Sequence, residues 1–333
     1  MITINSGTIA LLVLLSLHIG TTRAFSLHKL TSSESTHSSL FQSATTTSFT
    51  SLEKDATSSE KFYEVLKSYG RDIDAEPVQD ALQDLKQVYS ESGIDARIST
   101  YPDYDGDWFM ETHPTFPDLQ GRNKDGDALY TMGRLTYNMI QPSNLLCSVQ
   151  KITQHIHKLS DDPNHVNSQD GSVILPELIP KRLREELEVD ASELRSYRTD
   201  VHFTVESNGV QGVLQMDGYT IPNPTVENRY SIWFTGGRCY ALNGKDKDTR
   251  QKWRDVFGTE LKLKKREKFQ LWLAKLMMGA QPSSGMLEDD SLQYVMKKPV
   301  GGHNVAYQQV LYLDDETRIT EGNRGTVVVV SRI

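Results

Sequence analysis

Cysteine is nearly absent. Only Cys147 and Cys239 occur in 333 residues, too few for a disulfide scaffold or a four-cysteine metal site, so the fold must rest on packing. A basic excess is lacking too: 36 Lys and Arg stand against 44 Asp and Glu, and a net charge of -8 makes nucleic acid a poor default partner. The one long apolar run, residues 9–19 (IALLVLLSLHI), falls well short of the roughly 20 residues that cross a bilayer as a helix. The chain contains no G-x-S-x-G, H-E-x-x-H, G-x-x-x-x-G-K-[ST] or G-x-G-x-x-G. The common hydrolase, zincin, nucleotide and dinucleotide templates are therefore missing, and a non-enzymatic protein with no catalytic residue, metal or cofactor is expected.

What is present starts with a leader. The apolar run exits through Gly20, Thr21, Thr22, Arg23 and Ala24, small residues that fit a cleaved signal peptide over residues 1–24. Residues 25–60 carry Ser or Thr at 18 of 36 positions and bury too little apolar surface to offset chain entropy, so disorder is expected there. The Ala24-Phe25 junction followed by a hydroxyl-rich stretch resembles the bipartite plastid address of algae with secondary plastids. The alternative is a secreted protein with a flexible stalk. Against secretion, no N-x-[ST] acceptor occurs, since Asn223-Pro224-Thr225 fails on its proline.

Residues 59–69 and 75–92 read as helices forming an amino-terminal cap over 61–95. The second has Val78, Leu82, Leu85 and Tyr89 on one stripe, Pro77 in its first turn and Gly93 just past its end. From Trp108 the period falls towards two. Leu135, Tyr137 and Met139 alternate with Arg134, Thr136 and Asn138, and short apolar runs follow at 145–152, 201–206, 213–219, 230–234, 305–313 and 326–330. Short strands separated by turns over 105–333 predict an antiparallel barrel or sandwich, and closure by the last strand would remove exposed edges. Residues 158–198 and 248–279 interrupt the pattern as insertions with helical character.

Two segments, GRLTYNMIQPSNLLCSVQ at 133–150 and YLDDETRITEGNRGTVVVV at 312–330, resemble the plastid lipid-associated protein, or fibrillin, family. The first is similar to its glycine-arginine strand entering a proline turn, the second to its terminal signature, which falls here on Asp314, Arg318, Ile319 and Gly322. Glu321 departs from the basic residue the family commonly carries before that glycine. The resemblance implies a mainly β fold, a lipocalin-like antiparallel β-barrel with amino-terminal helices and helical insertions. It further implies a plastid protein of plastoglobules or thylakoids that binds or organises apolar lipids such as prenylquinones, carotenoids or fatty acyl chains.

The residue pattern agrees with an elongated apolar ligand held by the inward side chains Leu135, Tyr137, Met139, Phe203, Val205, Leu214, Met216, Ile232, Phe234 and Leu311. Periodicity alone leaves a filled core equally open. Asp314, Asp315 and Arg318 are spaced to meet in a turn, fixing the last hairpin or a polar head group. Asp103, Asp105 and Asp107 read as a solvated turn rather than a calcium loop, and His155, His157 and His165 as a weak metal signal without an acidic partner. Cys147 and Cys239 read as free core thiols, with a redox-sensitive disulfide as the alternative.

In residues 262–279, Phe269, Trp272, Leu273, Leu276 and Met277 share one helical face beside Lys264, Lys265 and Arg266. Such a basic amphipathic helix suits an anionic membrane surface through Lys264, Lys265, Arg266, Phe269, Trp272 and Leu273, or packs over the mouth of the barrel. A fluorescent protein fused to residues 1–60 is predicted to enter the plastid; its recovery from the medium would instead establish a secreted carrier.

Overall fold

The computed structural model describes residues 52–91, 104–162, 193–258, 279–281 and 285–333, together with Trp272, Ser283 and scattered positions between 165 and 183. The expected signal peptide, most of the hydroxyl-rich segment and most of both insertions lie outside the described residues.

Two helices come first, α1 (Leu52–Ser68) and α2 (Glu76–Glu91). The first begins inside the stretch expected to be disordered to residue 60, so that boundary is corrected to before Leu52. It stops at Gly70, whose φ of 64° is the left-handed conformation in which glycine replaces a strained side chain. There Gly70 N–H donates to the Lys67 carbonyl and Arg71 N–H to the Leu66 carbonyl, closing the helix end twice over. The apolar stripe of α2 works as its spacing implies: Val78, Leu82 and Leu85 are buried, and the Tyr89 ring lies 5.3 Å from that of Tyr312.

The strands are β1 (Gly106–Met110), β2 (Gly121–Arg122), β3 (Ala128–Thr131), β4 (Leu146–Lys158), β5 (Arg195–Val205), β6 (Gln211–Pro222), β7 (Arg229–Ala241), β8 (Ala280–Gln281), β9 (Leu292–Gly301), β10 (Tyr307–Leu313), β11 (Thr317–Gly322) and β12 (Val327–Arg332). They form one antiparallel sheet whose hydrogen bonding runs in a ring. β4, β5, β6, β7, β10, β11, β12 and β1 pair in that order, and β1 pairs back to β4. The sequence pattern assigns closure to the last strand; instead the ring closes through β1, which lies between β12 and β4. β9 shares the free edge of β7 with β10, pairing at residues 233–239 where β10 pairs at 229–231.

Among the described residues, two α-helices lie between strands. α3 (Met132–Leu135) replaces the strand expected around 134–139. Tyr137 and Asn138 have φ of 51° and 62°, which no extended strand accommodates, and the Thr136 hydroxyl donates to the Met132 carbonyl at 2.8 Å. α4 (Lys247–Phe257) is capped by Asp246, whose carboxylate accepts from Thr249 N–H at 2.8 Å. Its Trp253 and Phe257 are buried in the core cluster that holds Phe203 and Leu214. Gly212 makes room for this: a Cβ there would stand 2.6 Å from Phe203 and 2.7 Å from Trp253.

The first insertion begins after Lys158 and ends before Arg195, so residues 195–198 belong to β5 and not to the insertion. Its Ile179 and Leu183 pack with Leu194, Ile221 and Trp233. The α1–α2 hairpin covers the outer face of the terminal strands, where Phe62, Leu66, Leu82 and Leu85 bury Tyr312, Ile319 and Val329. Each fully buried aliphatic side chain contributes roughly 1.5–3 kcal/mol, so the hairpin is part of the folded unit rather than an appendage. Leu82→Ala is expected to lower the unfolding free energy by about 2–5 kcal/mol in urea denaturation. A loss under about 1 kcal/mol would mean that the hairpin is only loosely docked.

Candidate functional site

The inward faces of the ring strands meet in two adjoining clusters. One gathers Cys147, Val149, Ile152, Phe203, Val205, Leu214 and Met216; the other Trp108, Ile156, Tyr197, Tyr230, Ile232, Val310 and Val330. Met110 and Phe234 pack against both. Six of the expected lining residues, Phe203, Val205, Leu214, Met216, Ile232 and Phe234, are therefore interior, and they pack on one another and on their neighbours.

The other four need correction or qualification. Leu135 and Met139 are buried in the first cluster, but from α3 and the turn after it instead of a strand. Tyr137 is 58% exposed overall, on a left-handed backbone that turns the chain there instead of extending a strand, while burial of its hydroxyl raises its pKa. Leu311 packs with the α1–α2 hairpin on the outer side. A bulge between Val310 and Tyr312 shifts the alternation by one residue, so the period of two that placed Leu311 inside breaks at that residue.

The aromatic residues of the second cluster, Tyr104, Trp108, Tyr197 and Tyr230, are joined by polar side chains. Arg318, from β11, is 0% exposed. It donates from Nη2 to Gln154 Oε1 on β4, and its guanidinium stands 4.9 Å from the Tyr104 ring and 4.7 Å from that of Trp108. β11 and β4 are not paired neighbours, so this contact crosses the space the ring encloses. Across the same space Tyr104 donates to Gln308 Oε1 at 2.9 Å, and Gln308 Nε2 donates to the Tyr197 hydroxyl at 3.4 Å. Tyr104 stacks on Tyr230 with ring centroids 3.6 Å apart, and the Arg195 guanidinium lies 5.5 Å from the Tyr230 ring.

The charges in this assembly are unequally matched. Arg195 is answered by Asp105, Nε to Oδ1 at 2.5 Å, and by Glu193 at 3.1 Å. Burial pushes the Asp105 carboxyl above its ordinary value, an effect that Arg195 offsets only in part. Arg318 has no carboxylate within ion-pair distance among the described residues, and its Nε and Nη1 are buried without a hydrogen-bond partner there. Burial lowers the pKa of its guanidinium, with the nearby tyrosines pulling the other way. Tyr104 and Tyr230 are pushed well above the ordinary phenol range, chiefly by burial, so both remain neutral hydroxyl groups.

The terminal motif thus divides into separate jobs. Asp314 accepts from the N–H groups of Glu316 and Thr317 and from the Tyr312 hydroxyl, fixing the β10–β11 turn. Neither Asp314 nor Asp315 forms an ion pair with Arg318, contrary to the spacing argument, because Arg318 lies on the inward face of β11. Ile319, its neighbour, is buried on the opposite face under the hairpin. Gly322 N–H donates to the Thr326 carbonyl in the last turn.

Of the other candidates, Asp107 meets His155 at 2.7 Å and His157 at 3.1 Å, an acidic partner supplied by another strand and so not evident from the spacing of the histidines. Among the described residues no group of three or more His, Cys, Asp or Glu is arranged to hold a metal ion. A recess of about 330 Å³ beside α4 is lined by Arg238, Arg250, Trp253, Asp289 and Asp290 among others, and by none of the ten expected lining residues. Trp272 is 56% exposed; Lys264, Lys265, Arg266, Phe269 and Leu273 lie outside the described residues.

No sequence motif marks Gln154, Arg195, Tyr197, Tyr230 or Gln308. One signal was available: the alternation through Val201, Phe203 and Val205 extends back to Arg195, Tyr197 and Thr199, all buried. The chain matches no family model, no curated protein and no solved structure.

Cys147 and Cys239 are buried free thiols in the first cluster. Burial raises Cys147 to about 12 and Cys239 well above its ordinary value, which leaves almost no thiolate to react. Iodoacetamide at mildly alkaline pH should modify neither cysteine in the native protein and both in denaturant, read by intact mass. Modification of either one under native conditions would contradict the packing described.

Proposed function

We propose that this chain is a fibrillin-like, non-enzymatic lipid-associated protein of the plastid, built on a lipocalin-like barrel that binds or organises apolar lipids at a membrane or plastoglobule surface. The observation that carries the reading is the placement of the terminal motif. The segment that resembles the family signature forms β11 and β12, the strands that join the ring to β1, and it delivers Arg318 to the interior.

The tight packing of both interior clusters favours lipid association with, at most, one slender ligand over bulk storage. An acidic protein needs a local device to reach an anionic lipid surface. The exposed Trp272, with the flanking Lys264, Lys265, Arg266, Phe269 and Leu273, supplies one in this reading. Each cation contributes on the order of 1 kcal/mol at a negative surface.

Flotation with anionic liposomes tests this. The parent protein should rise with the vesicles, and the Trp272→Ser/Leu273→Ser variant, still folded by circular dichroism, should remain below. A parent protein that stays with the soluble fraction overturns the lipid-surface reading, and a variant that floats like the parent moves the contact away from residues 262–279.

A further inference from the structure

We infer that the recess beside α4 is a binding site for the phosphate monoester of a small polar molecule, held between Arg238 and Arg250. The inference is independent of the lipid-surface reading.

The recess belongs to the outside of the sheet. Arg238 and Tyr240 flank Cys239 on β7, and Cys239 is buried in the first cluster, so by alternation both project from the other face. Arg250 comes from α4, and the turn before β9 contributes Asp289 and Asp290. Three elements thus enclose about 330 Å³, room for a small organic molecule and not only for a bare ion.

The acids there are already occupied. Asp289 accepts from the Ser291 hydroxyl at 2.7 Å, from Ser291 N–H at 3.1 Å and from Arg238 Nη2; Asp290 accepts from Arg254 Nε at 2.7 Å and from Arg250 Nε. These bonds hold both carboxyls below their ordinary value, with Ser291 the main cause at Asp289 and Arg254 at Asp290. Both stay ionised with every oxygen engaged.

The guanidinium donors are in surplus. Arg238 donates from Nε to Ser291 Oγ at 3.0 Å and from Nη2 to Asp289, and Arg250 donates from Nε alone. Nη1 of Arg238 and both Nη groups of Arg250 have no partner among the described residues. Three cations, Arg238, Arg250 and Arg254, answer two carboxylates, which leaves one positive charge in excess.

The geometry of the donors selects the anion. A guanidinium anchored through Nε keeps its Nη groups for a ligand. One such fork matches a carboxylate, whereas the three terminal oxygens of a phosphate monoester accept from two forks at once. Tyr240, its ring 5.9 Å from the Arg238 guanidinium, and Ala241 give the organic part a less polar wall. Both arginine side chains are nearly half exposed, so a ligand reaches them without opening the fold.

Calorimetric titration of the full chain with glycerol phosphate, glycerol and acetate at fixed ionic strength tests the assignment. Glycerol phosphate should bind, acetate should be far weaker, and glycerol should not bind. Arg238→Gln and Arg250→Gln should each weaken glycerol phosphate by roughly tenfold to a hundredfold, the value of a charge-assisted hydrogen bond. Arg254→Gln, outside the lining, should cost much less, because it loses a screened charge and no fork. If a glutamine variant does not fold, Arg250→Lys, which keeps the charge and loses the fork, should still weaken binding.

Vesicles of phosphatidic acid carry the same phosphate monoester on a lipid and separate the two sources. Flotation lost in both arginine variants assigns the ester to a head group; flotation unchanged assigns it to a soluble molecule. A parent that binds no glycerol phosphate, and whose flotation neither substitution alters, overturns the site. Acetate as tight as glycerol phosphate overturns the phosphate assignment. Equal losses in Arg254→Gln and Arg250→Gln, or an Arg250→Lys protein that binds like the parent, would mean diffuse attraction in place of a site.

Discussion

The five residues of β1 are hydrogen-bonded on both sides, to β12 through Trp108, Phe109 and Met110 and to β4 through residues 106–109. Without that short strand β12 and the far half of β4 would be open edges, available to other chains. With it the sheet is a ring and has an interior, and everything polar inside must be satisfied from within. Trp108, at the centre of β1, is fully buried, donates to the Tyr104 carbonyl at 3.2 Å and has the guanidinium of Arg332 4.3 Å from its ring. One strand thus carries both the closure and a wall of the polar assembly.

Polar groups are usually excluded from a core of this kind, because an amide or hydroxyl buried without a partner costs about 1–3 kcal/mol and a charge costs more. Here they are linked across the ring. Gln308 joins Tyr104 to Tyr197, and Gln154 holds Arg318. Such links specify one register for strands that apolar contacts alone would leave freer to slip, since a shift of one residue in a strand would turn that strand's members of the assembly outward. The same argument applies to Asp314, whose three accepted hydrogen bonds fix the turn that sets the phase of β11 and so sends Arg318 inward and Ile319 outward.

Much of the architecture is legible along the chain because it depends on neighbours in sequence. The α2 stripe, its Pro77 start and the alternation in β5 and β6 follow from local geometry, and each side chain goes where its period puts it. The failures have local causes as well. The alternation around Tyr137 imitates a strand, yet left-handed residues and a back-bonded threonine make it a helical turn. Leu311 loses its phase to a bulge, which no pattern of hydrophobicity reveals.

The candidate site was legible only in part. Arg318 stood out through a resemblance, with Asp314 and Asp315 as its expected partners; its observed partner, Gln154, lies 164 residues away. By itself the sequence determined the α2 helix, the alternating strands such as β5, which of their faces are apolar, and that no disulfide scaffold is available. Those properties arise from the covalent period of the backbone and the composition of each face. Tertiary structure alone decided that the sheet closes on β1, that the hairpin covers β10–β12, and that Arg318, two of whose nitrogens have no partner among the described residues, is buried inside. Closure and charge balance depend on groups far apart in the chain, and these become neighbours only when the ring is formed.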